Sequence, residues 1–493
     1  MKSIKLNYLQ LCLIPVCILE YLIGNNPSLS LIAWVTPLLW LTFFHYTKPI
    51  YAIFFAVICL TLIYATQHNV NILQGISFHI TNLIFAFTYL LPFLVNRLLY
   101  NRIPTGLKWL LLPLCGVTVE YLMSLTSNGT WGSVGYTQTN IYLLQVLSIT
   151  GIYGIVFIIY LNAALLFALI SPTLNKKMRI NFTGLAIGVL LITFGFGYIR
   201  LNTLNQVTQK VKVMGLTFQG ESAWPWFREL VWEGKATIHK QKNEISVKSN
   251  QAHQYYLQET QKAIHLNQPK WVIWNEASLL ILKADFRKFV QVNSSFAKKN
   301  QVFFGVTYFL AGNEFPQQKG ENHLSIFAPD GKMIYDYQKN KPVDQMEPAV
   351  ASTSPPQVFT VGNIKFAGAI CADFDYPQLI RKIRLANVVF APSADWPGIK
   401  DLHALMANAR AIENGFALFR ITSSGKSTLS DSKGRILNSQ YHLKQATQLL
   451  VTDVPVDKSK SLYALVGDLF SWLCIAGLIA ILLYAVIFYP KIN

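Results

Sequence analysis

Long apolar runs separated by short polar connections fill the first 200 residues, and beyond them the pattern changes. Runs near 7–23, 29–45, 50–66, 76–98, 107–125, 141–171 and 180–199, with a last one at roughly 464–489, are of a length that crosses a hydrocarbon core of about 30 Å as helices. The first run follows Met1-Lys2-Ser3-Ile4-Lys5 and so resembles a signal sequence. It has no clear small-residue cleavage site and other spans follow closely, which predicts a retained first helix. From about Val211 short apolar stretches alternate with amphipathic ones, the signature of a layered α/β domain. Strands are predicted over 211–218, 271–274, 302–310, 324–327, 365–370, 388–391, 417–421 and 448–454, and helices over 232–266, 283–299, 377–385 and 401–414. Pro329-Asp330-Gly331-Lys332 and Asp431-Ser432-Lys433-Gly434 are turn sequences joining paired strands.

Charge order then orients the chain, because lysine and arginine in short loops are retained on the cytoplasmic side. Lys2 and Lys5 precede the first run. Lys48 follows the second, Arg97, Arg102 and Lys108 the fourth, and Lys176, Lys177 and Arg179 the sixth, while the intervening loops carry neither residue type. Seven spans put the inserted domain opposite the N-terminus, outside the cytoplasm, and an eighth returns the chain. The expected organisation is a membrane domain over 1–200, a soluble domain over 205–457 and a terminal span over 462–490. The net charge is +18, much of the basic charge sits in the cytoplasmic loops beside anionic head groups, and no recognition motif accompanies it, so nucleic acid is not an expected partner.

Cys371 is the only cysteine between about residue 200 and residue 460. It ends the β-like run Ile364-Lys365-Phe366-Ala367-Gly368-Ala369-Ile370, a position where a thiol can meet a substrate. The other five, Cys12, Cys17, Cys59, Cys115 and Cys474, lie in strongly apolar segments, where cysteine behaves as a small hydrophobe. Without a partner in its domain, Cys371 cannot form an internal disulfide in an oxidising compartment. Two other strand ends carry charge: Trp271-Val272-Ile273-Trp274-Asn275-Glu276, and Ile334-Tyr335-Asp336-Tyr337-Gln338-Lys339. Ligands gather outside strand ends in α/β sheets. An acid, an ammonium group and a thiol there form a candidate constellation.

Glu276, Lys339 and Cys371, each in its context, resemble the Glu-Lys-Cys triad of the nitrilase superfamily. Ala391-Pro392-Ser393-Ala394-Asp395-Trp396 resembles that superfamily's loop after the strand following the cysteine. Arg410-Ala411-Ile412-Glu413-Asn414-Gly415 is similar to its helix end, and Asp431–Gly434 to its late hairpin. The resemblance covers 211–456 and implies an αββα sandwich. With membrane spans on both sides, the chain is similar to the apolipoprotein N-acyltransferase family of the bacterial inner membrane. Trp131–Gln138, Gly151–Gly154 and Gln219-Gly220 with Trp224 and Trp226 also resemble family segments. The implied fold is a polytopic α-helical membrane domain carrying a nitrilase-like α/β sandwich.

The resemblance implies transfer of a fatty acyl chain from a phospholipid, through a Cys371 thioester, to a lipoprotein amine. It gives Glu347, eight residues after the lysine, a supporting role, and Trp224, Trp226, Asp373 and Trp396 substrate contacts. Two departures mark a divergent member: Ala372-Asp373 where the family has tyrosine and glutamate, and Pro342-Val343-Asp344-Gln345-Met346 where it has Leu-Val-Pro-Phe-Gly. Both are expected to bear on the acceptor more than on the reaction class. A membrane-tethered amidase and a non-catalytic scaffold or transporter are the competing readings. No metal or dissociable cofactor is expected: histidines are scattered, no Cys-x-x-Cys occurs, and no glycine-rich phosphate loop opens a helix in the soluble domain. A monomer is expected.

Overall fold

A computed structural model describes residues 2–25, 29–67, 70, 73, 75–170, 175–203, 209–218, 238–343, 346–442 and 447–488. It forms two compact units, one of Met1–Thr203 with Leu465–Asn493 and the other of Leu204–Ala464.

Among the described residues, the first unit has five helices long and apolar enough to cross a membrane: Gly75–Arg102, Thr105–Ser124, Tyr153–Ile170, Lys176–Asn202 and Leu469–Phe488. Shorter apolar helices lie at Cys12–Ile23, Ile32–Tyr46, Pro49–Ala65 and Ile141–Thr150. The run read as one span over 141–171 is therefore broken. Gly151, at φ +66°, follows a short Leu147–Thr150 turn and the long helix starts at Tyr153. Hydropathy shows that every side chain tolerates hydrocarbon, but a glycine in a region closed to other residues stops the helix. A Cβ at Gly116 would lie 2.3 Å from the Tyr160 ring, so glycine there permits close approach of Lys108–Ser124 to Tyr153–Ile170. The two carboxylates inside the apolar runs are both hydrogen-bonded. Glu20 Oε1 accepts from Trp40 Nε1 at 3.0 Å and Tyr89 Oη at 2.8 Å, and Glu120 accepts from Ser133 Oγ and from the Val134 amide.

The second unit is built on two sheets. The first joins β1 (Lys210–Thr217), β2 (Trp271–Trp274), β3 (Leu279–Leu282), β4 (Phe303–Ala311), β5 (Glu321–Phe327), β6 (Met333–Gln338) and β13 (Gln448–Pro455) in the order β13-β1-β2-β4-β5-β6, with β3 also paired to β4. The second has the order β12-β11-β10-β9-β8-β7, from β7 (Val358–Val361), β8 (Ile364–Gly368), β9 (Val388–Ala394), β10 (Ala417–Ser423), β11 (Gly425–Ser430) and β12 (Ile436–His442). One core holds side chains of both sheets: Val213, Ile273 and Leu324 from the first, and Phe366, Phe390, Phe419 and Ile421 from the second. Trp271 links them, stacked 4.3 Å from Phe303 and tilted 4.4 Å from Phe366. A second core packs the outer face of the first sheet, through Met214, Val272 and Phe304, against Tyr256 and Ala263 of helix Ile238–Asn267 and Phe289 of helix Phe286–Asn300. Helix Leu402–Asn414 packs on β10 and β11, completing an αββα sandwich.

Most predicted strands form within a few residues of their expected limits. β3, four apolar residues directly after the Glu276 turn, was not expected, because so short a run has no distinguishing period. The helix expected over 377–385 shrinks to Pro377–Ile380 and a 3-10 turn, Arg381–Ile383.

Candidate active site

Topology brings the three strand ends together. β2 is parallel to β4, and β4, β5 and β6 are successively antiparallel, so β2 and β6 point the same way. Glu276 and Lys339, each just past its strand, emerge at one edge of the sheet. Cys371 follows β8 in the other sheet, and the Glu276 amide donates to Ser393 O of β9 at 3.3 Å. Lys339 Nζ donates to Glu276 Oε1 at 2.7 Å and to Glu347 Oε2 at 2.6 Å. Asn322 Nδ2 spans the same two carboxylates, at 2.9 and 2.7 Å, and the Val343 amide donates to Glu347 at 3.1 Å. The Cys371 thiol lies within hydrogen-bonding reach of Glu276 and 4.0 Å from Ala394 O.

All three principal groups are buried, Lys339 to 1 % exposure and Cys371 to 6 %. Cys371 is thus not at an exposed strand end as its sequence position suggested. Burial pushes its thiol well above the ordinary pKa, the charge of Glu276 adds to this, and the Lys339 ammonium offsets it only in part. Burial also raises the Glu276 carboxyl against the pull of Lys339. Burial alone would strip the proton from Lys339, but the charges of Glu276 and Glu347 hold its pKa well above the usual ammonium value. At rest the site therefore holds a thiol and an ammonium beside paired carboxylates.

Cys371 has φ +47°, a left-handed conformation that costs a side chain roughly 1–2 kcal/mol. Asp373 holds that turn. Its Oδ2 accepts from the Ile370 amide at 2.9 Å and Tyr337 Oη at 2.8 Å, and its Oδ1 from the Lys341 amide at 2.9 Å. Asp373 was expected to touch substrate; instead it is fully buried with both oxygens engaged, and ties the cysteine's turn to the segment after Lys339. Its burial raises its pKa to about 6. Trp396 is partly exposed and opens the short turn Pro397–Ile399, whereas Trp224 and Trp226 lie outside the described residues.

Beside the thiol is a group that sequence inspection missed. His403 Nδ1 lies 2.7 Å from Asp395 Oδ1, its Nε2 lies 3.4 Å from Asp375 Oδ1, and Arg420 Nη2 donates to both Asp395 oxygens at 2.7 and 2.8 Å. Burial disfavours the imidazolium, but the charges of Asp395 and Asp375 outweigh it and raise the pKa to about 9. Polar residues one helical turn from buried alanines, as His403 is from Ala407, were the available signal. Ligand atoms of Cys371, Asp395 and His403 all lie within 4.8 Å of one another. A cation does not fit this arrangement, because the Arg420 guanidinium already covers both Asp395 oxygens.

Residues 18–165 match the family model described as the apolipoprotein N-acyltransferase N-terminal domain, and 252–463 match that of carbon-nitrogen hydrolase. A Geobacter metallireducens protein named apolipoprotein N-acyltransferase is 22% identical over 439 residues, 82% of this chain and 79% of the relative. The chain belongs to the apolipoprotein N-acyltransferase family, within the nitrilase superfamily. It is an acyltransferase enzyme with a helical membrane region. A Treponema denticola relative named apolipoprotein N-acyltransferase 2 is 24% identical over 69% of each chain, and one from Rickettsia typhi is 21% identical over 65% of each. Among solved structures, a carbon-nitrogen hydrolase from Helicobacter pylori is 14% identical, covering 51% of this chain and 91% of its own, with a TM-score of 0.41.

Proposed function

We propose that this enzyme transfers a fatty acyl chain from a membrane phospholipid to the N-terminal amine of a lipidated apolipoprotein, with Cys371 as nucleophile, Glu276 as general base and acid, and Lys339 as oxyanion donor. The observation that carries the roles is the buried Lys339 ammonium held between Glu276 and Glu347, with the Cys371 thiol adjoining Glu276. The thiol is protonated at rest, so its proton passes to Glu276 as sulfur attacks the ester carbonyl. Lys339 donates to the oxyanion, where a fixed donor in a dry site is most effective. When the tetrahedral intermediate collapses, the ester C–O bond breaks and Glu276 returns the proton to the departing lysophospholipid oxygen, leaving an acyl thioester. The acceptor's amine then attacks the thioester carbonyl and Glu276 takes the amine proton; as the C–S bond breaks, leaving the amide, Glu276 returns that proton to sulfur and the thiol is regenerated.

Glu347 and Asn322 act as positioning residues for Lys339 and Glu276. The domain carrying this chemistry is expected on the extracytoplasmic side by the order of basic loops. Mass spectrometry of the full chain purified from membranes tests the reading. It expects a hydroxylamine-sensitive fatty acyl adduct on Cys371, absent in Cys371→Ala and discharged by a diacylated lipopeptide. An unmodified Cys371 after incubation with phospholipid would overturn phospholipid as donor. An adduct discharged by water alone would favour an amidase.

A further inference from the structure

The membrane unit contains a feature that acyl transfer does not use. A cavity of about 150 Å³ opens among Asn96, Tyr100, Lys108, Trp109, Phe167 and Phe182, between five helices that include Thr36–Tyr46 through Leu41. It is smaller than the roughly 300–1,000 Å³ of sites that enclose a whole drug-sized ligand. Its floor is apolar, because Trp109 and Phe182 pack against Leu161 and Leu165. Its polar lining is Asn96, Tyr100, Thr105 and Lys108, and the charged group among them is a cation. The Lys108 ammonium stands 4.4 Å from the centre of the Tyr100 ring. Asn96 Oδ1 lies 2.9 Å from His45 Nε2. Arg97 and Lys108 both lie within electrostatic reach of His45, and Arg97 Nε is buried without a hydrogen-bond partner.

Among the described residues of the first unit, no carboxylate balances these charges. The first 203 residues contain only two, Glu20 and Glu120, and residues 465–493 add Asp468. Glu20 is held by Trp40 and Tyr89, Glu120 by Ser133 and Val134, and Asp468 acts on Tyr121. Glu120 and Tyr121 are twelve and thirteen residues along the helix from Lys108, about 18–20 Å away. Lys108 is also the first residue of its helix, where the backbone dipole disfavours a cation and favours an anion. The described residues of the first unit thus supply no counter-charge for Lys108, at a place where aromatic and aliphatic walls meet an ammonium and an amide.

The geometry points to this cavity as a binding site for the phosphate-bearing head group of an anionic phospholipid, with the acyl chains left in the bilayer. The cavity belongs to the first unit, at the helix ends that carry Arg97, Arg102 and Lys108, whereas Glu276, Lys339 and Cys371 belong to the second, and its occupancy does not depend on the function proposed for Cys371.

Trp109 is the built-in reporter. The full chain is placed in phosphatidylcholine nanodiscs containing phosphatidylglycerol brominated in its acyl chains, and Trp109 emission is taken as the difference from Trp109→Phe. Brominated phosphatidylglycerol should quench Trp109 more than brominated phosphatidylcholine at the same mole fraction. Lys108→Gln should reduce that preference about fivefold, and Lys108→Arg should keep it. Equal quenching by the two lipids, or a preference unchanged in Lys108→Gln, would overturn the proposal. Loss of the preference in excess inorganic phosphate, at ionic strength matched with chloride, would also overturn it by identifying free phosphate as the occupant. Monodisperse elution of both Lys108 variants separates these outcomes from misfolding.

Discussion

Raising the pH should unlock the second unit through one side chain, His403. The imidazole is 3 % exposed and bracketed by Asp395 at 2.7 Å and Asp375 at 3.4 Å. Its pKa is about 9 against 6.5 for the free group, because the two carboxylates more than offset burial. The folded value lies above the unfolded one, so the stabilisation is complete below pH 6.5 and is lost as pH rises through 9. That gap corresponds to about 3 kcal/mol, which for a unit of this size is a fall in Tm of about 6–12 °C. The assay is thermal unfolding of the detergent-purified full chain from pH 6 to 10, wild type against His403→Gln. Asp373, whose pKa is raised to about 6, loses stability in the same direction but at lower pH, and being common to both proteins it cancels in the difference. The variant should be less stable at pH 6, and the gap should close by about 3 kcal/mol by pH 10. A gap that stays constant across the range would refute the assignment of a buried imidazolium.

Two further outcomes follow from the same geometry. Glu347→Gln removes a charged partner of Lys339, a loss of about 1.5–3 kcal/mol, so single-turnover thioester formation should slow about ten- to a hundredfold. Because the Glu347 charge helps hold the Glu276 pKa up, the acid limb of that rate should also move to lower pH; an unmoved limb would separate Glu347 from Glu276. In Gly425→Ala the new Cβ would lie 2.1 Å from Asp395 Oδ2, which Arg420 and His403 hold in place. The variant should lose about 1–3 kcal/mol in thermal unfolding, and alkylation of Cys371 should change with it.

Much of this molecule was legible in the residues, for local reasons. Apolar runs and short strands announce themselves through period and length, and the residues Glu276, Lys339 and Cys371 stand at the ends of apolar segments because a buried strand must end where polar groups begin. Turn chemistry at 329–332 and 431–434 was equally local. What hydropathy could not fix was where an apolar run breaks, since Gly151 ends a helix by backbone conformation and not by polarity.

Only the tertiary structure decided which polar residues share a volume. Asn322 lies on β5 and Glu347 in a loop, yet both meet Glu276 and Lys339 because β2 and β6 run parallel in one sheet. Asp373 looks like a pocket residue beside a nucleophile, but folding turns its carboxylate inward onto two amides and a phenol. His403, Asp395 and Arg420 come from a helix, the residue just past β9 and the neighbouring strand β10, and no spacing along the chain relates them. Their charges are set by low dielectric and by distance. Sequence determined which ionisable groups this protein owns; packing determined which of them are charged.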